Sequence, residues 1–204
     1  MHPWRERLAR WFTPLARDFP LSPNEVTLLA LLLNAMACVA FLNGPRYPAA
    51  FLIALPLITV AGFADALDGL VARLQQKESR FGDFLDHVCD RISDTALAAS
   101  WMIGNRVGEP LIIIGVIVIM LNGYIGTQME ATFGQRNYDS VGRGEFLLAI
   151  IVFPIVSFIL GSNGWSELRF AGLRIAEWLS LALIAFALLG VVQRIALARR
   201  MERT

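Results

Sequence analysis

Long apolar segments follow one another along this chain, and they constrain its fold more than any other feature of the sequence. Six such segments cover residues 26–42, 49–70, 84–103, 110–127, 146–160 and 175–197, with short polar connections between them. A helix needs about 20 mostly apolar residues to cross a bilayer, so six spans occupy most of this 204-residue chain. The pattern predicts an all-α integral membrane protein with six transmembrane helices.

The composition agrees with a membrane protein and argues against other classes. Hydrophobic residues make up 56% of the chain and charged residues 17%, and the mean hydropathy is +0.56. Such a chain is not intrinsically disordered, and a soluble domain of this size would be more polar. The net charge of +1 lacks the basic excess that is typical of nucleic-acid binding, so no nucleic-acid partner is predicted.

The first 20 residues differ from the rest, because arginines are interspersed there with tryptophan, phenylalanine and leucine. This pattern predicts an amphipathic helix in the membrane interface at residues 1–20. A helix start follows, since Ser22, Pro23 and Glu25 suit the N-cap, first and third positions of a capping box. We therefore expect a single membrane domain over residues 1–204, in which a six-helix bundle at 21–199 follows the interfacial helix.

Basic residues are unevenly distributed between the two sides of the predicted bundle. Fourteen of the 18 lysines and arginines lie near the termini or near the second-to-third and fourth-to-fifth connections, and four lie on the other side. Cytoplasmic flanks of membrane helices are enriched in lysine and arginine. Both termini and the second-to-third connection are therefore predicted to face the cytoplasm from a cell (inner) membrane.

Acidic residues cluster around the second-to-third connection. Asp65 and Asp68 share a face of the second predicted helix, and Asp86 and Asp90 share a face of the third. Two adjacent helices can thus aim four carboxylates at one point, where they would repel one another unless a cation holds them ionised. Oxygen ligands without paired histidine or cysteine favour a hard cation, Mg²⁺ or Mn²⁺, over zinc.

Small residues and one arginine accompany these carboxylates. Gly69, Ala72 and Gly82 lie on the faces that bear the carboxylates, where larger side chains would fill the space that a bound group needs. Arg73 follows one turn after Gly69, and its guanidinium is suited to a phosphate because it can donate two parallel hydrogen bonds. The pattern indicates room for a phosphate-bearing ligand beside the metal.

Together these residues form the pattern Asp65-x2-Asp68-Gly69-x2-Ala72-Arg73-x8-Gly82-x3-Asp86-x3-Asp90. At every defined position it resembles the signature of the CDP-alcohol phosphotransferase (CDP-alcohol phosphatidyltransferase) family. The resemblance implies an intramembrane enzyme of phospholipid synthesis that transfers a phosphatidyl or other phospho-alcohol group from a CDP-linked donor to an acceptor hydroxyl and releases CMP. CDP-diacylglycerol, its ether-lipid equivalent and a soluble CDP-alcohol all stay open as donors. A homodimer is also implied, because family members commonly form one.

The resemblance also implies roles for individual residues. It implies that Asp65, Asp68, Asp86 and Asp90 bind one or two ions of Mg²⁺ or Mn²⁺, and that Asp90 is the general base. Donor contacts are expected at Ser22, Pro23, Asn24, Thr27, Gly69, Ala72, Arg73, Ser79 and Gly82.

The acceptor alcohol is harder to predict. Inositol-phosphate enzymes of the family typically carry a lysine on the fourth helix and arginines where the fifth begins, whereas residues 122–128 are uncharged here and the chain's one lysine is Lys77. This departure argues against an inositol-phosphate acceptor. Arg136 and Arg143 are the candidates for holding a phosphorylated acceptor, and an uncharged acceptor is the alternative.

Two other classes of protein fit part of the pattern. A small cation-coupled transporter also places acidic residues on neighbouring helices, but it is expected to show charges near the bilayer midplane and repeat symmetry, which this sequence lacks. A non-catalytic membrane scaffold has no use for four convergent carboxylates. Metal-dependent release of CMP from a CDP-linked lipid distinguishes the enzyme from both.

Overall fold

The computed structural model describes residues 20–134 and 143–202, with only the backbone at 143–147. Its six helices are α1 (Pro23–Asn43), α2 (Ala49–Leu74), α3 (Arg80–Gly104), α4 (Glu109–Phe133), α5 (Arg143–Ser162) and α6 (Ile175–Met201). The predicted helical architecture is confirmed, and most helices continue a few residues past the apolar segments into the polar connections. The interfacial helix predicted at 1–20 lies outside the described residues, apart from Pro20.

Four of the described helices, α1, α2, α4 and α6, are long and apolar enough to cross a membrane. Helix α3 is equally long, but the part from its start to Asp94 carries six charged residues, Arg80, Asp83, Asp86, Asp90, Arg91 and Asp94. The apolar part of α5 with described side chains, Leu148–Ser162, is shorter than a full span. The structure is that of a helical membrane protein with four clear candidate spans, and six spans stay a prediction.

Helix α1 begins with the predicted capping box. The Ser22 hydroxyl accepts the backbone N–H of Glu25 at 3.4 Å, and the Glu25 carboxylate accepts the backbone N–H of Ser22 at 2.7 Å. Pro23 occupies the first turn, where a missing N–H costs no helical hydrogen bond. These contacts fix the position of the first turn, which carries Asn24 and Thr27.

A short β-hairpin that the sequence analysis did not predict joins α5 to α6. Its strands β1 (Arg169–Phe170) and β2 (Leu173–Arg174) pair in antiparallel fashion. The turn residues Ala171 and Gly172 have φ values of 50° and 85°, which suit a type I′ turn. Strands of two residues are too short to show the alternation of polar and apolar residues that reveals a strand in a sequence.

The packing of the helices gathers three helix ends at one end of the bundle. Helix α1 packs against α2 and α3, α4 packs against α3 and α6, and α2 contacts α5. The main core, which includes Phe41, Phe51, Trp101 and Met102, lies toward the opposite end. Gly104 allows close approach of α3 to α1 there, because a Cβ atom would overlap the carbonyl of Phe41. The beginning of α1, the end of α2 and the beginning of α3 are thereby held together.

Candidate active site

Three of the four predicted metal ligands meet between α2 and α3. Asp65, Asp86 and Asp90 each offer a carboxylate oxygen, and these oxygens lie within 4.8 Å of one another. The spacing of Asp86 and Asp90 places both on one face of α3, and the short connection after Leu74 brings that face against α2. We call these three residues the acidic trio.

The acidic trio fits a divalent ion by its chemistry and spacing. Mg²⁺ binds oxygen ligands at about 2.1 Å, so small side-chain movements bring all three oxygens into contact with one ion. Asp90 is 9% exposed, which reduces the competing hydration of its carboxylate. A hard cation also relieves the repulsion between the three acidic groups.

Asp68, the fourth predicted ligand, does not belong to the acidic trio. Its carboxylate accepts a hydrogen bond from the Thr27 hydroxyl at 2.6 Å, and the two residues are only 8% and 6% exposed. The spacing of the aspartates predicted that all four carboxylates converge at one point. The structure instead brings three together and directs the fourth toward α1.

Predicted donor-contacting residues from α1 and α3 lie close together around Gly82. The backbone N–H of Gly82 donates to the Ser79 hydroxyl at 3.0 Å, and this contact caps α3. A Cβ atom on Gly82 would lie 3.1 Å from Asn24 Oδ1 and 3.2 Å from Ser79 Oγ. A side chain at Gly82 would therefore crowd the junction of α1 and α3, as the predicted need for a small residue implies.

The remaining predicted donor residues lie on the last turns of α2. Gly69 borders open space, since no described atom lies within 4 Å of the position that a Cβ atom would take. Ala72 is half-buried and Arg73 is exposed. Gly69 and Arg73 are four residues apart and therefore share one face of α2, which leaves room for a ligand beside the acidic trio.

Two arginines that the sequence analysis left outside the site are close to it. Arg91 Nη2 lies 3.4 Å from Asp90 Oδ2, and Arg91 Nη1 lies 3.8 Å from Asp94 Oδ2. The Arg91 guanidinium packs against Gly123 of α4, where a Cβ atom would overlap it. Arg91 therefore connects the acidic trio to α4.

Arg194 reaches the same face of α4 from α6. It donates through Nη1 to the backbone carbonyl of Asn122 and, at 2.6 Å, to the Asn122 side-chain oxygen. Its guanidinium would lie 3.3 Å from a Cβ atom on Gly126. Gly123 and Gly126 are three residues apart on one helix face, and this pair of small residues is the one signal in the sequence that could have indicated a close approach to α4. Sequence alone could not show that arginines from two other helices make that approach.

The two arginines predicted to hold the acceptor cannot be placed in the site. Arg136 lies outside the described residues, and Arg143 begins α5 in a stretch of which only the backbone is described. Their roles stay predictions.

Comparison with known proteins identifies the class to which this fold and site belong. Residues 20–197 match the CDP-alcohol phosphatidyltransferase family, and the chain is a member of it. Archaetidylinositol phosphate synthase of Pyrococcus horikoshii is 29% identical over 140 residues, which are 68% of this chain and 72% of that protein. Phosphatidylinositol phosphate synthase of Mycobacterium tuberculosis is 30% identical over 163 residues, 75% of this chain and 73% of that protein.

The same fold occurs in solved structures of the Mycobacterium tuberculosis synthase. Its apo form has a TM-score of 0.59 at 25% identity, covering 93% of both chains. The structure with CDP-DAG bound has a TM-score of 0.58 at 22% identity, covering 97% of this chain and 92% of that one. The complex with manganese and citrate has a TM-score of 0.60 at 24% identity, covering 94% of this chain and 87% of that one.

Family membership confirms the predicted class of reaction. The chain is a transferase of phospholipid synthesis that uses a CDP-linked donor, as the motif indicated. The transporter and scaffold alternatives are thereby set aside. The three converging carboxylates of the acidic trio indicate a divalent metal as the cofactor.

Proposed function

We propose that this enzyme transfers the phosphatidyl-type group of a CDP-linked lipid to a hydroxyl of a phosphorylated polyol, with inositol phosphate as the first candidate, and releases CMP. The convergence of Asp65, Asp86 and Asp90 beside open space at Gly69 carries the proposal. The lipid donor and the phosphorylated acceptor are inferred from the relatives, among which are archaetidylinositol and phosphatidylinositol phosphate synthases.

In the proposed mechanism, Asp65, Asp86 and Asp90 would be the main ligands of Mg²⁺ or Mn²⁺, and Asp68 would lie beside them as the fourth carboxylate. The metal, when bound, neutralises the donor diphosphate and makes CMP a better leaving group. Asp90 accepts the proton of the acceptor hydroxyl. The hydroxyl oxygen then forms a bond to the lipid-bearing phosphorus, and the bond from that phosphorus to the oxygen of CMP breaks.

The donor is proposed to lie across the ends of α1, α2 and α3. The first turn of α1, with Ser22, Pro23 and Asn24, meets the start of α3 at Ser79 and Gly82 and forms the nucleotide side. On the α2 side, the diphosphate is proposed to lie along the face of Gly69, Ala72 and Arg73. Arg73 is exposed, so it is available to donate to a phosphate without losing a partner inside the bundle.

The acceptor phosphate is proposed to bind near Arg194 and Arg91. Both guanidiniums lie against α4, they are close enough to repel one another, and Arg91 also contacts Asp90. An anionic group beside them relieves that repulsion and brings the acceptor hydroxyl near Asp90. The uncharged run at 122–128 was the reason to expect an acceptor other than inositol phosphate. In this proposal, Arg91 of α3 and Arg194 of α6 supply the positive charge that this run of α4 lacks.

The proposed setting is a cell membrane crossed by all six helices, with the active site and both termini in the cytoplasm. The basic residues at the active-site end support this orientation. In α3, Asp86 and Asp90 of the charged part belong to the catalytic site, and the apolar end of the helix lies in the bundle core, as the buried Trp101 and Met102 indicate. The homodimer implied by the family resemblance stays a prediction.

The proposal is tested by CMP release from CDP-diacylglycerol in the presence of different acceptors. We expect release with inositol phosphate and Mg²⁺, and none with inositol phosphate and a chelator. Glycerol phosphate tests whether another phosphorylated polyol is accepted, and unphosphorylated inositol is the matched control for the phosphate. Release with inositol alone would refute the phosphorylated acceptor, and release only from a soluble CDP-alcohol would replace the lipid donor.

A further inference from the structure

A buried contact joins the first helix to the predicted metal ligands. Thr27 Oγ1 donates to Asp68 Oδ2 at 2.6 Å, across 41 residues of sequence. The same hydroxyl lies 3.1 Å from the carbonyl of Pro23, but it has one proton to donate. The shorter contact to a charged acceptor is the stronger of the two, so the proton is directed at Asp68.

This contact explains why Asp68 is separate from the acidic trio. Asp65 and Asp68 are three residues apart on α2, a spacing that would allow both carboxylates to face the same ion. Asp65 joins Asp86 and Asp90, whereas Asp68 is directed to Thr27. A carboxylate that is 8% exposed has little access to water as a substitute partner, so leaving Thr27 is costly unless a metal takes its place.

We infer that Thr27 is a positioning residue, which holds Asp68 away from the acidic trio so that the first divalent ion binds to Asp65, Asp86 and Asp90 without it. Asp68 is then kept on the side of α1, where Ser22 and Asn24 are proposed to receive the donor. The position of this carboxylate thus depends on how α1 is seated against α2. The inference rests on the proposed metal-dependent function. It deepens that function by dividing the four predicted ligands into two sets, the acidic trio and Asp68 alone.

The division is tested by titrating purified protein with Mn²⁺ in the absence of donor, with free Mn²⁺ measured by electron paramagnetic resonance. Asp65→Asn, Asp86→Asn and Asp90→Asn are each expected to weaken the first binding event by roughly tenfold or more. Asp68→Asn is expected to weaken it clearly less than any of these three changes, because the amide oxygen still accepts from Thr27 and only the nearby charge, not a ligand, is lost. Equal weakening by Asp68→Asn would overturn the inference.

Substitution of Thr27 gives the complementary test. Thr27→Val frees Asp68 to join the acidic trio, so the first Mn²⁺ is expected to bind several-fold more tightly, and Thr27→Ser is expected to behave like the wild type. This gain in Mn²⁺ affinity should vanish in the double variant Thr27→Val/Asp68→Asn, because no carboxylate is then left to join the acidic trio. Thr59→Val is the matched control, since Thr59 is exposed and its hydroxyl donates to the backbone carbonyl of Leu55 at 2.8 Å.

The outcomes separate this inference from the proposed function. A wild-type protein that binds no Mn²⁺ would contradict the metal-dependent function itself. A wild-type protein that binds Mn²⁺, together with a Thr27→Val variant of unchanged affinity, would leave the function intact and refute the positioning role alone. The Asp68→Asn titration decides the matter if Thr27→Val does not fold.

Discussion

At the scale of single residues, the proposed function places two demands on the carboxylate of Asp90, which would bind the metal and act as the base. It is one of the acidic trio, and its Oδ2 lies 3.4 Å from the Arg91 guanidinium. A base that also binds a metal must keep one oxygen accessible to the acceptor hydroxyl. The two oxygens of a carboxylate allow this division, whereas an amide supplies neither the negative charge nor the basicity.

We therefore predict that Asp90→Asn lowers the turnover number by at least about a hundredfold, since loss of a general base typically costs 10²- to 10⁴-fold. The measurement is CMP release at saturating Mg²⁺ by protein that remains folded in detergent. Asp83→Asn is the control, because Asp83 is an exposed acidic residue in the first turn of α3. Near-normal turnover by Asp90→Asn would exclude Asp90 as the base.

A second prediction at this scale concerns Arg194. Hydrogen bonds to charged groups contribute about 1.5 to 3 kcal/mol, so Arg194→Gln is expected to raise the acceptor KM by about ten- to a hundredfold while the donor KM changes little. Arg199→Gln serves as the control, since Arg199 is an exposed arginine in the last turn of the same helix. If the acceptor KM is unchanged in Arg194→Gln, the phosphate of the acceptor is held elsewhere.

At the scale of secondary-structure elements, the start of α3 has both a structural and a proposed catalytic role. The Ser79 hydroxyl accepts the backbone N–H of Gly82 at 3.0 Å and so caps α3. The same residue is expected to contact the donor. A helix whose start is displaced would move Asp86 and Asp90 as well, because both follow within three turns of the cap.

Ser79→Ala is predicted to lower the melting temperature, because loss of an N-cap costs about 1 kcal/mol and this corresponds to about 2 to 4 °C for a chain of this size. Ser79→Asp retains a good capping residue and is expected to melt close to the wild type. The donor KM should rise in both variants if the hydroxyl contacts the donor. A normal donor KM in Ser79→Asp would restrict Ser79 to its capping role.

The hairpin between α5 and α6 provides a prediction independent of catalysis. Ala171 has a φ of 50°, a conformation that costs an alanine about 1 to 2 kcal/mol and is tolerated better by asparagine. Ala171→Asn is therefore expected to raise the melting temperature, with turnover unchanged. Gly172→Ala should lower it, since Gly172 has a φ of 85°. A fall in melting temperature on Ala171→Asn would contradict the observed turn geometry.

At the scale of the whole molecule, the α2–α3 connection and the α5–α6 connection lie at opposite ends of the bundle. Lys77 in the first connection and Ser166 in the second are both exposed. In a variant without Cys38 and Cys89, we predict that a membrane-impermeant maleimide labels Lys77→Cys only from the cytoplasmic side and Ser166→Cys only from the other. Labelling of both cysteines from the same side would refute the proposed orientation, or would show that the bundle is not intact.

The sequence by itself determined the parts of this protein that are encoded within single segments. Apolar length predicted the six helices, and the residues Ser22, Pro23 and Glu25 predicted the capped start of α1. The spacing of the aspartates predicted which face of each helix is acidic and therefore which chemistry the site performs. These features depend on helical periodicity and on local hydrogen bonds, which neighbouring residues specify without reference to the rest of the chain.

Only the tertiary structure decided how the helices are rotated against one another, and therefore which side chains meet. The contact of Thr27 with Asp68 joins residues 41 positions apart, and the contact of Arg194 with Asn122 joins residues 72 positions apart. Periodicity places a residue on a face but does not say which face of another helix lies opposite. That pairing depends on the fit of side chains between helices. It is the reason why Asp68 is separate from the acidic trio and why arginines from α3 and α6 lie against the uncharged run at 122–128 of α4.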